Sequence, residues 1–157
     1  KGVNPCREIL LANKGFCNLA TVFATACIID GRLDLKKLVR LVKSATRHCA
    51  RITNVDIELP EWDAVQKRDR LLGVNLTGVE DAIDACLADF NHKGDDPRRI
   101  YIHNNGILSV ATVLETLNTE ANNEATRYAT EMGINRPVLV TTVQPSGTLS
   151  QLAACSS

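Results

Sequence analysis

Apolar residues recur along this chain with two different periods, and the change between them marks its elements. Leu35, Leu38, Val39, Val42, Ala45, Cys49 and Ile52 fall three and four residues apart. That spacing predicts a helix starting at Asp34, a fair N-cap, with Lys36, Lys37, Arg40, Lys43 and Arg47 on its outer face. Val110, Leu114, Leu117, Ala121, Ala125, Tyr128 and Met132 repeat the pattern, predicting a long helix from about Gly106 to Met132. Gly133 is placed to end it, with Pro137 beyond. Pro60 can open a short helix through ELPEWDAVQKRDR with Trp62 and Val65 packed inward, and another is predicted from Glu80 to Phe90. Between these lie runs without helical spacing. Phe16 to Asp30 (FCNLATVFATACIID) reads as one buried strand, and Leu71 to Val79 (LLGVNLTGV) as a strand ended by Gly78. Val138 to Val143 (VLVTTV) is apolar or β-branched throughout, as in a parallel strand buried on both faces. His92 to Pro97 is a polar loop rich in breakers. The alternation of strands and helices argues an α/β fold.

Composition narrows the class. The 157 residues suit about one domain, and 18 basic residues balance 18 acidic ones. No global field argues for nucleic acid or a membrane surface, so the basic helix face is expected to be solvated. No apolar run reaches the ~20 residues a membrane span needs, so a cytoplasmic location is expected. The chain opens on Lys1 and its densest motifs sit at its two ends, which suggests part of a longer protein. Six cysteines include no C-x-x-C pair and the three histidines are scattered, so no metal site is expected. Cys27, Cys49 and Cys86 fall on apolar positions and read as small buried hydrophobes.

Candidate chemistry gathers in two stretches. In KGVNPCREILLANKGFCNL, Asn4, Cys6 and Glu8 occupy alternate positions, and Cys17 follows eleven residues after Cys6. Pro5 disfavours helix at Asn4, and in an extended segment alternate side chains share one face. A thiol would then stand between an amide and a carboxylate. The second stretch follows the last predicted strand: Pro145, Ser146, Gly147, Thr148, Leu149 and Ser150. Ligands of α/β folds bind at that end of the strands. Glycine and three hydroxyls suit a phosphate cradle, with a helix starting near Leu149, although the same residues also make an ordinary turn. The lysine of an ATP-hydrolysing P-loop is missing.

Taken together, N-P-C-x-E followed by F-C-N-L, then RDRLLGVNLTGVEDAID, then VQPSGTLSQLA resemble, in order, three segments of ribonucleotide reductase large subunits. ELPEWDAVQKRDRLLGVNLTG and the final loop are most similar to the adenosylcobalamin-dependent (class II) branch. The resemblance covers essentially the whole chain. It implies a ten-stranded α/β barrel with an inner finger loop, of which residues 1–157 are the later part, the finger loop at about 1–19 and the phosphate loop at about 144–151. It implies Cys6 as the thiyl-radical residue, Glu8 as the base for the 3′-hydroxyl and Asn4 as a partner of the sugar hydroxyls. It implies Cys17 as one of two reducing cysteines, with the other on an earlier strand outside this chain, and residues 145–150 on the substrate's phosphates. Adenosylcobalamin, a ribonucleotide and a thioredoxin-like reductant are the implied cofactor and partners, and the 157 residues alone are expected to be inactive. Two rivals remain: a class I large subunit, whose radical comes from a partner protein, and a non-catalytic nucleotide- or thiol-binding module.

Overall fold

The helical spacing at Leu35 becomes helix α1 (Leu35–Ile52), with the Asp34 carboxylate accepting the Lys37 backbone N–H at 2.9 Å. The computed structural model describes residues 2–88 and 98–156, so the expected loop His92–Pro97 lies outside the described residues. α1 follows strand β3 (Asn18–Phe23) and leads through helix α2 (Pro60–Asp69) to strand β6 (Leu72–Thr77). β3 and β6 pair in parallel, from Asn18 opposite Leu72 to Phe23 opposite Thr77. Residues 138–142 run beside β6 on its other edge. There Leu72 N–H donates to Leu139 C=O (2.9 Å), Val74 N–H to Val140 C=O (2.9 Å) and Thr142 N–H to Val74 C=O (3.1 Å). α1 and the long helix α4 (Val110–Met132) pack together, and their inner stripes close the core with β6 around Leu38, Val42, Cys49, Leu72, Val74, Leu117, Ala121 and Ala125. Along the α1–α4 seam, Lys43 meets Glu120 at 2.5 Å and Arg47 meets the buried Glu124 at 3.3 Å.

A second sheet, absent from the sequence expectation, orders β4 (Ile28–Ile29), β5 (Arg32–Leu33), β7 (Arg99–Ile102) and β8 (Gly106–Ser109) as β4-β5-β7-β8. Its presence accounts for two corrections. The run 16–30 is not one strand: after Phe23 it coils into a 3₁₀ turn (Ala24–Cys27) that buries Ala24 and Cys27, then turns back as β4 against β5. The long helix starts at Val110 rather than Gly106, because 106–109 pair with β7 and the Ser109 hydroxyl then caps the helix by accepting Thr112 N–H at 3.1 Å. Its end matches expectation, with Gly133 left-handed at φ 65°.

Three further expectations change. The helix expected at 80–90 is α3 (Val79–Cys86), which stops where Leu87 turns extended and bridges to Ile100. Trp62 does not point inward. It remains 38 % exposed beside Phe16, and Gln66 takes the buried side of α2, with its amide donating to Val55 C=O at 3.2 Å. Residues 138–143 are not buried on both faces: Val140 is buried, whereas Val138 and Val143 are 74 % and 90 % exposed. No further strand of the described residues flanks that edge, so the parallel strands remain open and the described fold is mixed α/β without a closed barrel.

Candidate active site

The first thiol sits on a hairpin. β1 (Gly2–Val3) pairs antiparallel with β2 (Leu10–Leu11), and Asn4–Ile9 forms the tip. The tip is a turn, not the extended segment expected from the alternation: Arg7 N–H donates to Asn4 C=O at 2.9 Å and Arg7 is left-handed at φ 65°. The asparagine organises it. Buried Asn4 accepts Ile9 N–H through Oδ1 at 3.0 Å and donates through Nδ2 to Glu8 Oε1 at 2.6 Å. The amide and the carboxylate are therefore joined directly, while Cys6 is exposed at the tip. The other carboxylate oxygen, Glu8 Oε2, is covered and lacks a hydrogen-bond partner, an arrangement a hydroxyl donor would relieve.

Cys17 lies just before β3 and is half-buried. A Cβ on Gly73, in the paired strand, would lie 3.3 Å from its Sγ, so glycine there leaves the sulfur its seat. Burial, and after it the neighbouring Cys49 and Glu8, push the Cys17 thiol up to about 12. The thiol therefore keeps its proton at neutral pH. Cys49, fully buried on α1, is likewise pushed up to about 11 by burial.

The second stretch leaves the parallel strands at residue 143. Gly147 adopts φ 42°, ψ −110°, and a one-turn helix α5 (Thr148–Leu152) follows. Two of the three hydroxyls expected to face an anion are occupied within the chain. Ser150 Oγ donates to Gly147 C=O at 2.6 Å, and buried Ser146 Oγ accepts from the Asn75 amide at 3.4 Å. Pro145, Gly147, Thr148 and Leu149 are exposed. Beyond α5 the chain returns to β6, where Ser156 C=O accepts from Gly78 N–H (3.0 Å) and from the Thr77 hydroxyl (3.0 Å).

The two stretches meet across a cavity of about 900 Å³ whose lining includes Glu8, Asn75, Thr77, Gln144 and Pro145. Such a volume accommodates a nucleotide-sized ligand. Of the residues singled out in the sequence, Glu8 and Pro145 line it, whereas Cys6, Cys17 and Ser146 to Ser150 are not among its lining residues. Sequence reasoning missed Gly73, Asn75 and Thr77, which occupy alternate positions of β6. A glycine and a buried amide in an otherwise apolar strand are the only signal they leave.

A hairpin with an exposed thiol at its tip and a glycine–hydroxyl turn beyond parallel strands thus reach one cavity of an α/β segment, the first through Glu8 and the second through Pro145. The chain belongs to the ribonucleotide reductase family: the profile described as "Ribonucleotide reductase, barrel domain" matches residues 1–133. It is 30 % identical over 172 aligned positions to the adenosylcobalamin-dependent ribonucleoside-triphosphate reductase of Lactobacillus acidophilus, covering 99 % of this chain and 21 % of that protein. It is 37 % identical over 84 positions to the ribonucleoside-diphosphate reductase large subunit of Monkeypox virus, covering 50 % of this chain and 11 % of that protein. The fold of a B12-dependent (class II) ribonucleotide reductase crystal structure superposes with a TM-score of 0.73 at 22 % identity, covering 99 % of this chain and 22 % of that one. The chain thus spans about a fifth of the length of the B12-dependent reductases it matches, and less of the viral subunit.

Among the described residues no helix is long and apolar enough to cross a membrane, and no cluster of His, Cys, Asp and Glu could hold a metal ion.

Proposed function

We propose that this chain is the later part of the catalytic barrel of an adenosylcobalamin-dependent ribonucleotide reductase, making 2′-deoxyribonucleotides for DNA synthesis in the cytoplasm. The observation that carries the reading is the hairpin tip: an exposed Cys6 beside an Asn4–Glu8 hydrogen bond, with Glu8 and Pro145 lining one cavity. The similarity to triphosphate reductases favours ribonucleoside triphosphates as substrates.

In this reading Cys6, as a thiyl radical, takes the 3′-hydrogen atom of the ribose and becomes a thiol. Glu8 accepts the 3′-hydroxyl proton within the bond that Asn4 holds in place. The 2′-hydroxyl takes a proton from one of the two reducing thiols and leaves as water. Cys17 and a second thiol, which the family resemblance places on an earlier strand, supply two electrons and the hydrogen for the 2′ position and end as a disulfide. Cys6 returns a hydrogen atom to C3′ and recovers its radical, and Glu8 returns its proton to the 3′ oxygen. A thioredoxin-like dithiol then reduces the disulfide. The raised pKa of Cys17 agrees with a role that begins from S–H.

Adenosylcobalamin fits this chain at one point, the Cys6 thiol, which is exposed at its turn and open to a hydrogen-abstracting group. When bound, the cofactor supplies the organic radical that generates the thiyl. We further propose 1–19 as the finger loop and 144–151 as the phosphate loop, with Pro145, Gly147, Thr148 and Leu149 presenting backbone and side chain to the phosphates while Ser146 and Ser150 hold the turn's shape.

A class I reading has its own support in the identity to the viral diphosphate-reductase subunit. The test is the complete reductase carrying this segment, assayed with adenosylcobalamin, a dithiol and either nucleotide form. Triphosphate reduction that disappears in Cys6→Ala, with nucleotide binding retained, is expected. Full turnover in Cys6→Ala would sink the radical assignment, and diphosphate reduction that needs a partner protein instead of adenosylcobalamin would favour class I.

A further inference from the structure

We infer that Asn75 is the positioning residue of the 144–150 turn, holding it in register with the thiol side of the cavity. This inference rests on the nucleotide-reductase reading of the same site.

The backbone ladder between β6 and residues 138–142 ends at Thr142 N–H on Val74 C=O, at 3.1 Å. One residue pair further, the strands have parted and Pro145 has no N–H to offer. The Asn75 side chain continues the ladder in its place. Its Oδ1 accepts Gln144 N–H at 3.1 Å, and its Nδ2 donates to Gln144 C=O at 3.2 Å and to Ser146 Oγ at 3.4 Å. A carboxamide carries the same donor and acceptor pair as a peptide unit, so Asn75 grips both sides of Pro145 as a neighbouring strand would grip a residue. The side chain is 3 % exposed, and a buried amide so placed costs stability unless its bonds are made. An apolar residue here would pack without that cost, and it would leave the Gln144 N–H and C=O without these partners.

Thr77, two positions on and on the same face of β6, grips the other end of the excursion through Ser156 C=O at 3.0 Å. The segment 144–156 is thus fastened to one strand at its entry and at its exit. Between the two grips lies Gly147, whose φ of 42° and ψ of −110° are poorly open to other residues, so the turn itself supplies little tolerance for misplacement. On the same face of β6, Gly73 seats the Cys17 sulfur. One strand therefore fixes the distance between the phosphate end and the reducing thiol, and Asn75 is the residue that sets it on the phosphate side.

The experiment uses the complete reductase with Asn75→Ala, the isosteric Asn75→Asp and, at the exit, Thr77→Val. Two readouts are taken: amide hydrogen exchange over residues 144–150, and equilibrium binding of a ribonucleoside triphosphate beside the unphosphorylated ribonucleoside. Loss of these bonds is expected to speed exchange of 144–150 and to weaken triphosphate binding, each by about tenfold. Nucleoside binding and exchange in α1 and α4 should be unchanged. The KM for the nucleotide should rise while kcat stays within about threefold, a split that a general loss of packing does not produce. Asn75→Asp keeps the shape and the Gln144 N–H bond but loses the amide donor to Gln144 C=O and Ser146 Oγ, so it should show a smaller loss of the same kind, with unchanged exchange in α1 and α4 reporting an intact fold. Thr77→Val should show a smaller change confined to residues 153–156. Unchanged exchange over 144–150, or unchanged triphosphate binding, in Asn75→Asp would overturn the inference. Triphosphate binding that weakens in Asn75→Ala, in an enzyme that reduces none, would retire the reductase reading and leave the positioning role standing.

Discussion

Leu72, Val74 and Leu76 of β6 contribute to the apolar core that α1 and α4 close, whereas Gly73, Asn75 and Thr77, on the alternate face, serve Cys17, Gln144 and Ser156. Six consecutive residues therefore divide between two tasks. One face is apolar and contributes stability in proportion to the area it removes from water. The other is as deeply buried, with Asn75 and Thr77 at 3 % and 1 % exposure, yet it is polar, and its groups serve to place other segments. Burial alone therefore does not separate core from site. What separates them is whether the buried side chain is satisfied by apolar neighbours or by backbone brought from elsewhere in the sequence.

That division is open to attack from both sides. The largest effect belongs to the apolar side: Leu38→Ala, at a position 2 % exposed, should destabilise by about 2–5 kcal/mol in denaturant unfolding, with the nucleotide KM of the folded enzyme unchanged. A comparable rise in KM would show the two faces to be coupled. On the opposite face Gly73→Ala should cost about 1–3 kcal/mol, because the new Cβ would overlap Leu19 Cδ2 and lie 3.3 Å from both Cys17 Sγ and the Thr142 methyl. Its sharper signature is lower turnover through displacement of Cys17, which single-turnover kinetics would separate from nucleotide binding. Asp34→Ala removes the cap of α1 and should cost about 1 kcal/mol, with no effect on turnover.

Smaller effects come from titration. The Arg127 guanidinium, hydrogen-bonded to Glu124, holds that carboxyl below its usual range, and Arg47 and Lys43 add to the effect. A depressed folded pKa contributes stability that is present above the unfolded value, about 4.5, and is lost as pH falls below it. Arg127→Gln should flatten this acid limb of the stability profile while leaving the neutral plateau nearly in place. Cys17 works in the opposite sense. Its raised pKa means stability is retained below pH 9 and declines as pH rises toward 12, where the unfolded chain releases the proton more readily. With iodoacetamide at pH 8, exposed Cys6 should therefore be modified first and Cys17 slowly. Rapid labelling of Cys17 in the folded protein would contradict its buried seat beside Gly73.

Much of the helical layer is legible in the residues alone. α1, its Asp34 cap, the Pro60 start of α2 and the Gly133 end of α4 follow from local rules acting within a few residues. β6 and its Gly78 stop are equally plain. The small second sheet is not, because β4, β5, β7 and β8 are two to four residues long and their two hairpins join only where Leu33 meets Ile102, far along the chain. Trp62 misleads for a related reason: apolar character predicts burial, but Gln66 both donates to Val55 C=O and accepts from the Asn18 amide, and a donor-only indole could not do both. At the site, the residue types are legible and the geometry is not. Asn4, Cys6 and Glu8 read as one face of an extended segment, and the Arg7 turn replaces that face with a direct Asn4–Glu8 bond. Ser146 and Ser150 read as hydroxyls facing an anion, and the sequence does not reveal that they also bond within the chain, to the Asn75 amide and to Gly147 C=O.

Which segments are helix and central strand, where the helices begin and end, and which thiols and hydroxyls could do chemistry are all written locally in the chain. Periodicity, caps and breakers act within a few residues, and local sequence suffices for them. Tertiary packing alone makes Gly73, Asn75 and Thr77 a single fastening face, puts Glu8 and Pro145 on one cavity, and keeps the proton on Cys17. Each of those depends on neighbours outside the local stretch, such as Gly73 on Cys17, Asn75 on Gln144 and Glu8 on the cavity it shares with Pro145. A residue's contacts at such separations are set by the packing of the whole sheet, which no stretch of residues carries on its own.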